Sequence, residues 1–187
     1  MVKARPLRAD AQRNRDAILA AAREAFEKEG VFASLDAVAV RAGVGNATLY
    51  RNFPTREDLL AAVIDSFFTT ALTEAGELSR TLPPGKALLE WLVRVSWGLR
   101  IWHDLPVCLA TAHDNDASPL HSANAPLVKQ LGALLDAAKA AGEMIGEITA
   151  EEVFELVLVV SWGVDQFGDD ETKARRRVTL ATAGIFT

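Results

Sequence analysis

The sequence predicts an all-α protein, and three observations lead to this fold class. Alanine and leucine dominate the 187 residues, whereas alternating apolar and polar runs of the kind that form strands are scarce. Glycine and proline lie mostly between the periodic segments. The chain has the length of one ordinary domain and is 50% hydrophobic, which is enough for a core. We therefore expect a well-packed helical protein.

Four helices are predicted in the N-terminal part, over residues 9–29, 35–42, 46–52 and 55–79. The apolar residues of the first helix recur on one face, and Gly30 supplies its C-terminal stop. Ser34 can cap the second helix, because its hydroxyl accepts hydrogen bonds from first-turn N–H groups. Residues 43–45, Gly-Val-Gly, leave room only for a tight turn before the third helix. A proline ends that helix, and Thr55 begins the fourth with Asp58 at the capping-box position.

Five further helices are predicted over residues 86–103, 107–113, 126–141, 150–167 and 171–186. The Pro-Pro-Gly sequence at 83–85 separates the fourth helix from the fifth, and Pro106 separates the fifth from the sixth. The polar stretch 114–124 is predicted to be a loop. Glycine-containing links at 142–149 and 168–170 separate the last three helices.

The formal charge is unevenly distributed along the chain. Residues 1–56 hold ten Lys or Arg and six Asp or Glu, a charge of +4, whereas the remaining residues hold ten and nineteen, a charge of −9. A basic end on an acidic body is typical of proteins of which one end meets a polyanion such as nucleic acid. Charges that only solvate helix faces are the alternative explanation.

Composition also bears on compartment and cofactors. The single cysteine, Cys108, excludes an internal disulfide and a cysteine-based zinc site. His103, His113 and His121 lack the spacing of a ligand pair, so neither a metal nor another cofactor is predicted. No segment reaches the roughly 18 uncharged apolar residues of a membrane span. Because the basic start has no apolar segment after it, we expect a cytoplasmic protein without a membrane partner.

The second and third predicted helices, with the three-residue turn between them, have the organisation of a helix-turn-helix. A recognition helix has to protrude, so its outward side should be small or polar and its inward side apolar. The outward candidates are Asn46, Ala47, Thr48, Arg51 and Asn52, and the inward ones are Val44, Leu49 and Phe53.

The residues around this motif resemble the DNA-binding domain of the TetR family of transcriptional regulators. The resemblance covers about residues 18–63 and is carried, in order, by Ser34-Leu35, Val38-Ala39, Ala42-Gly43-Val44, Ala47-Thr48-Leu49-Tyr50-Arg51-Asn52-Phe53-Pro54 and Arg56-Glu57-Asp58-Leu59. It implies a homodimeric, ligand-responsive repressor with a helix-turn-helix domain over residues 1–54. Residues 55–187 would then form a helical effector-binding and dimerisation domain, and the operator would be palindromic double-stranded DNA.

The resemblance also implies roles for individual residues. The phosphate contacts would be Tyr50, Asn52 and Arg56, with Ser34 at the start of its helix as a further one. The major-groove candidates are Asn46, Ala47, Thr48 and Arg51. Arg5 and Arg8 lie on an arm, expected to be unstructured, that could enter a minor groove. The alternatives are packing for Tyr50, solvation for Arg51 and a free terminus for the arm.

Two departures at the start of the third helix limit what transfers from the family. Where the family often has Ser and then Lys, this chain has Gly45 and Asn46. Glycine can still occupy the N-cap, and the Asn46 amide can still meet a base edge or a phosphate. Both residues therefore stay among the predicted DNA-binding residues, but base preference does not transfer.

The fifth predicted helix indicates a pocket. Trp91 and Trp102 are eleven residues apart and share a helix face with Gly98. Because Gly98 has no side chain, it should leave a notch between the two indole rings. The predicted effector-binding residues are Phe67, Phe68, Trp91, Trp97, Trp102 and Trp162, with His103, His113, Asp165 and Gln166 as polar anchors. Ordinary core packing is the alternative for each aromatic residue.

Residues 153–164 are apolar nearly all round, so this helix needs cover on two sides. With a stripe of Val178, Ala181 and Ile185 on the last helix, it would form a twofold four-helix dimer interface.

The function that the sequence supports is a sequence-specific DNA-binding regulator, a repressor released by a partly apolar small molecule. The same fold could also serve a ligand-insensitive or activating regulator. The sequence does not support an enzymatic function. It contains no nucleophile and general base at a spacing typical of a catalytic pair, and no glycine-rich phosphate-binding loop. A helical protein-interaction module is a third alternative.

Overall fold

The computed structural model describes the backbone of residues 4–113 and 115–186, with side chains from residue 9 onward. Within these residues the chain forms nine α-helices, and β-structure is limited to one antiparallel bridge between Met144 and Phe186. The helices are α1 (Ala4–Glu29), α2 (Leu35–Arg41), α3 (Asn46–Asn52), α4 (Arg56–Thr81), α5 (Pro84–Leu99), α6 (Leu105–Ala112), α7 (Pro119–Ala140), α8 (Ala150–Gln166) and α9 (Glu171–Ala181). The predicted all-α fold class is confirmed.

Three helix bounds differ from the prediction by five residues or more. Helix α1 begins at Ala4, so Arg5 and Arg8 lie in its first turns and not on an unstructured arm; their side chains lie outside the described ones. Helix α7 begins at Pro119, within the stretch that we predicted to be a loop, because Ser118 caps it by accepting a hydrogen bond from the Leu120 N–H at 3.1 Å. A proline at the first helical position gives up no hydrogen bond. Helix α9 ends at Ala181, five residues before the predicted end.

The chain divides into two compact units. We call the described residues up to Ile64 the head unit and those from Asp65 the body unit. Helix α4 contributes its first residues to the head unit and the others to the body unit. It is also the one described helix whose length and apolar composition would suit a membrane span, a property that it shares with the core helices of soluble proteins.

The core of the head unit lies where α1 packs against α2 and α3. Phe26 on α1, Val38 on α2 and Leu49 on α3 are at most 1% exposed. The start of α4 adds Leu59 and Ile64, both fully buried. These apolar contacts fix the orientation of two helices that are each only seven residues long and too short to be stable alone.

Helix α5 lies at the centre of the body unit and packs against α7, α8 and α9. Trp91 is its largest buried side chain, and the indole Nε1 donates a hydrogen bond to the Ala71 carbonyl at 2.8 Å. The hydroxyl of Ser161 on α8 lies 3.2 Å from that of Ser96 and also donates to the Val157 carbonyl at 2.7 Å. The two polar groups are therefore satisfied inside the core.

Candidate nucleic-acid interface and ligand cleft

A tight turn connects α2 to α3 and fixes the angle between the two helices. Gly43 has a φ of +69°, a left-handed conformation that favours glycine, and the Val44 N–H donates to the Ala39 carbonyl at 3.0 Å. Gly45 takes the N-cap of α3, where its carbonyl accepts from the Thr48 N–H at 2.8 Å. The Ser34 hydroxyl caps α2 through the Ala37 N–H at 3.4 Å. Both predicted caps are thus present.

The side of α3 opposite Leu49 is open to solvent. Asn46, Ala47, Tyr50 and Arg51 are exposed, and Thr48 and Asn52 are half-buried. Residues four apart lie on one face of a helix, so Asn46 is next to Tyr50 and Ala47 next to Arg51. The structure therefore brings the predicted DNA-binding residues of α3 together on one short, exposed surface.

Several of these side chains are held by hydrogen bonds. The Asn46 amide donates to Asp36 at 2.8 Å, and the Asn52 amide donates to the Thr48 carbonyl at 2.8 Å. The Arg51 guanidinium lies 3.4 Å from the Thr48 hydroxyl. These bonds orient the side chains of α3, but a base or phosphate that takes the Asn46 amide has to replace the bond to Asp36.

Arg56 has a role that the sequence analysis missed. Its guanidinium donates to the carbonyls of Val31 and Ala33 at 2.8 and 2.7 Å, and so ties the loop between α1 and α2 to the start of α4. No local pattern signals such a contact over 23 and 25 residues. The capping box that begins α4 was predicted and is confirmed: the Thr55 N–H donates to Asp58 at 2.9 Å, and the Asp58 N–H to the Thr55 hydroxyl at 3.1 Å.

In the body unit, the predicted notch on α5 is not open. The ring of Phe67 fills the space beside Gly98, and a Cβ added to Gly98 would overlap that ring. The prediction was wrong because helical spacing shows which side chains share a face but not which neighbouring helix covers it. Three of the aromatic residues that we predicted to bind an effector are buried in the core, Phe68, Trp91 and Trp102.

Phe67 and Trp97 line a pocket of about 340 Å³ formed by α4, α5 and α9. Four of its five charged side chains are paired: Arg175 makes two hydrogen bonds to Glu90 at 2.7 and 2.8 Å, and Arg94 lies 3.3 Å from Glu74. The hydrogen bonds from Arg175 hold the pKa of the Glu90 carboxyl below its usual value, against the opposing effect of burial. A ligand in this pocket would therefore meet charges that are mostly paired within the protein.

His103, Asp165 and Gln166 form a separate polar cluster. The His103 Nδ1 lies 2.6 Å from an Asp165 carboxylate oxygen, and the Gln166 amide lies 3.4 Å from the same oxygen. Asp104, next to His103, has a φ of +66°, which is uncommon for a residue other than glycine. In the described part of the chain no three His, Cys, Asp or Glu side chains group in a way that could hold a metal ion.

A cleft of about 580 Å³ lies between α6 and α8. Its lining residues are Pro106, Val107, Ala110, Thr111, His113, Glu155, Leu158, Val159 and Trp162. Of the predicted effector-binding residues, only His113 and Trp162 line it, and the His113 Nε2 lies 3.3 Å from the Glu155 carboxylate. We predicted that the excess of apolar residues on α8 belongs to a dimer interface, and three of these residues, Leu158, Val159 and Trp162, line the cleft.

The predicted dimer stripe on α9 needs correction. Of its three residues, Val178 and Ile185 are 2% and 8% exposed, so they pack inside the body unit, whereas Ala181 is exposed. The large apolar side chains that α8, its C-cap and α9 leave exposed are Val159, Trp162, Phe167 and Leu180. Helix α9 packs against both α5 and α8, and Ile185 lies beyond its end at Ala181.

Helices α2 and α3 lie at the basic end of the chain, are joined by a glycine turn, and leave one side of α3 exposed. This arrangement defines a helix-turn-helix DNA-binding protein. The chain matches two sequence families with the same function. Residues 18–63 match the bacterial regulatory proteins of the tetR family, and residues 83–186 match the C-terminal domain of SbtR-like transcriptional regulators. The chain belongs to the TetR family and is a DNA-binding transcriptional regulator.

Solved structures agree with this assignment. A TetR transcriptional regulator from Streptomyces coelicolor is 32% identical, with a TM-score of 0.59 over 92% of this chain and 98% of that one. A TetR regulatory protein from Mycobacterium vanbaalenii is 30% identical, with a TM-score of 0.55 over 97% and 100%. FadR of Thermus thermophilus, a TetR-family repressor in complex with lauroyl-CoA, is 18% identical, with a TM-score of 0.65 over 91% and 94%, and shows the fold alone. No curated protein matches the sequence.

Proposed function

We propose that the protein is a cytoplasmic homodimeric repressor that binds a palindromic operator and is released by a small, partly apolar effector. Residues 1–54 form the DNA-binding domain in this proposal, and residues 55–187 the effector-binding and dimerisation domain. The exposed side of α3, which carries only polar and small side chains apart from Tyr50, is the observation that carries the proposal. We assign the protein no catalytic activity.

On the DNA, Arg51 and Asn46 have the donors to reach base edges in the major groove, and Ala47 and Thr48 have methyl groups that suit a thymine methyl. Phosphates would meet Tyr50, Asn52, Arg56, Ser34 and the backbone at Gly45. Arg5 and Arg8, near the start of α1, would add contacts of their own. The exposure of Tyr50, at 46%, supports a contact with DNA over a purely internal packing role.

For the dimer, we propose that two copies share the exposed apolar side chains of Phe167, the C-cap of α8, and Leu180 on α9. Phe167 is 70% exposed and Leu180 is 62% exposed, which is costly for a monomer in water. Leu180→Arg should therefore convert a dimer into a monomer in sedimentation equilibrium. Ile101→Arg, at an equally exposed apolar residue outside these helices, is the matched control and should leave the dimer intact.

For the effector, the cleft between α6 and α8 is the proposed site. Its volume is within the range of small-molecule sites, and most of its lining is apolar. The lauroyl-CoA complex of the Thermus thermophilus repressor supports the view that this fold can bind a ligand with an apolar chain. Ala110→Trp, which fills the cleft from α6, should abolish release from DNA without changing DNA affinity.

Selection of bound duplexes from a random DNA pool, at two salt concentrations, tests the regulator itself. A twofold-symmetric consensus should emerge from the wild-type protein, and Arg51→Ala should lose the preference at one position of each half-site. Arg80→Ala changes an exposed arginine of the body unit whose guanidinium donates to the Gly76 carbonyl of its own helix; it is the matched control and should select the same consensus. Binding that shows no symmetric consensus and vanishes at moderate salt would contradict the proposal.

A further inference from the structure

A second pocket borders the cleft between α6 and α8. It has a volume of about 410 Å³ and lies between α7, the end of α6 and the start of α8. His113 lines both the cleft and this pocket, so the two are neighbours on the same side chain. We call the second one the α7 pocket. Its lining residues are His113, His121, Asn124, Ala125, Val128, Lys129, Gly132, Ala150 and Glu151.

The α7 pocket contains an unsatisfied donor. Asn124 is 2% exposed, and its amide nitrogen has no hydrogen-bond partner among the residues that the structure describes. A buried amide without a partner costs free energy, and buried polar groups in native proteins nearly always have one. A ligand that brings a hydrogen-bond acceptor into the pocket could satisfy the N–H groups of this carboxamide.

The Asn124 amide nitrogen is buried, so a ligand acceptor reaches it by displacing neighbouring side chains, and several residues that line the pocket are small. Ala125, Gly132 and Ala150 have small side chains, and Pro126 interrupts the hydrogen-bond ladder of α7 next to the pocket. The His121 Nδ1 lies 2.6 Å from the His113 carbonyl, so His121 is held in place. The charges at the rim, Lys129 and Glu151, are both exposed and of opposite sign, so the pocket has no strong net charge.

We propose that the α7 pocket binds the polar end of the effector, a carbonyl or carboxylate oxygen that accepts a hydrogen bond from Asn124, while the apolar part of the same molecule lies in the cleft. This inference rests on the proposed effector site and adds the chemical class of its ligand. The ligand is an amphipathic molecule with an apolar body and a terminal hydrogen-bond acceptor.

Three probes with one apolar body test the inference on the full chain. They are 4-phenylbutanoate, its methyl ester and butylbenzene, which carry a charged acceptor, a neutral acceptor and no acceptor. Binding is measured by the change in tryptophan fluorescence, since Trp162 lines the cleft. We expect the acid or the ester to bind more tightly than butylbenzene, and a salt-dependent advantage of the acid over the ester would assign a share to Lys129.

The variant Asn124→Leu separates recognition from folding. It removes the orphaned amide at similar size, so its Tm should equal or exceed that of the wild type. It should weaken binding of the acceptor-bearing probes about tenfold and leave butylbenzene unchanged. Gln130→Leu makes the same kind of change on α7 outside the pocket and should change no affinity.

The outcomes distinguish the two proposals. If butylbenzene binds as tightly as both acceptor probes, or if Asn124→Leu binds all three like the wild type, the role of Asn124 is overturned and the cleft stands. If none of the three probes binds the wild type, the cleft is overturned as the effector site and this inference falls with it.

Discussion

The head and body units differ in how closely the structure follows the sequence pattern. In the head unit, six of the eleven residues predicted to meet DNA lie together on α3, within seven consecutive residues. In the body unit, the ten residues predicted to bind an effector lie in a buried core, a charged pocket, a surface cluster and a cleft. The difference teaches that local spacing predicts which side chains of one helix share an exposed face. It does not predict a site built between helices, because such a site depends on which faces pack together.

The largest expected effect separates two tryptophans that we predicted to share one pocket. Trp91→Ala removes a fully buried ring and the hydrogen bond to Ala71, so the free energy of unfolding should fall by about 3–5 kcal/mol. Trp97 is half-buried, and Trp97→Ala should lower that free energy by only about 1 kcal/mol. Urea unfolding followed by circular dichroism measures both, and equal losses would contradict the separation.

A smaller effect tests whether the residues of the head unit act alike. Arg56→Ala removes two hydrogen bonds from a charged group and should lower the free energy of unfolding by about 1–3 kcal/mol as well as weaken DNA binding. Tyr50→Ala should weaken DNA binding with a change in stability below about 0.5 kcal/mol. Thermal unfolding and fluorescence anisotropy with the selected operator measure the two properties. A Tyr50→Ala protein as unstable as Arg56→Ala would assign Tyr50 to packing.

The filled notch of the body unit is tested by a pair of substitutions. Gly98→Ala places a Cβ against the Phe67 ring, whereas in a Phe67→Ala background this overlap is removed and the same change gains helix propensity. The effect of Gly98→Ala on the free energy of unfolding should therefore be more favourable in that background, by about 1 kcal/mol. A double-mutant cycle with urea unfolding measures this coupling. Additive effects would mean that the ring does not occupy the notch.

The smallest expected effect depends on pH. Because Arg175 holds the pKa of Glu90 below its usual value of 4.5, the ion pair stabilises the folded protein above that pH. This contribution is lost as pH falls through the lowered pKa, and for such a partly exposed pair it is about 0.2–1 kcal/mol. Glu90→Gln should lower stability at pH 7 and make less difference at pH 3. A difference that stays constant between pH 7 and pH 3 would contradict the role of the ion pair.

The sequence by itself determined the all-α fold class, most of the helix ends and the helix-turn-helix. These features depend on neighbours within a few residues, such as the Ser34 cap, the left-handed Gly43 and the Thr55–Asp58 capping box. The start of α7 was missed because the polar residues before Pro126 indicated a loop. The N-cap that begins the helix there is a single hydroxyl, that of Ser118.

Only the tertiary structure decided which helix faces cover one another. Phe67 fills the place of the Gly98 side chain, α9 turns Val178 inward, and Arg56 reaches carbonyls more than 20 residues away. Hydrophobic burial is not directional, so an apolar stripe specifies that it must be covered but not by what. The cleft between α6 and α8 and the unpaired amide of Asn124 are consequences of that packing. The spacing of residues along the chain does not predict them.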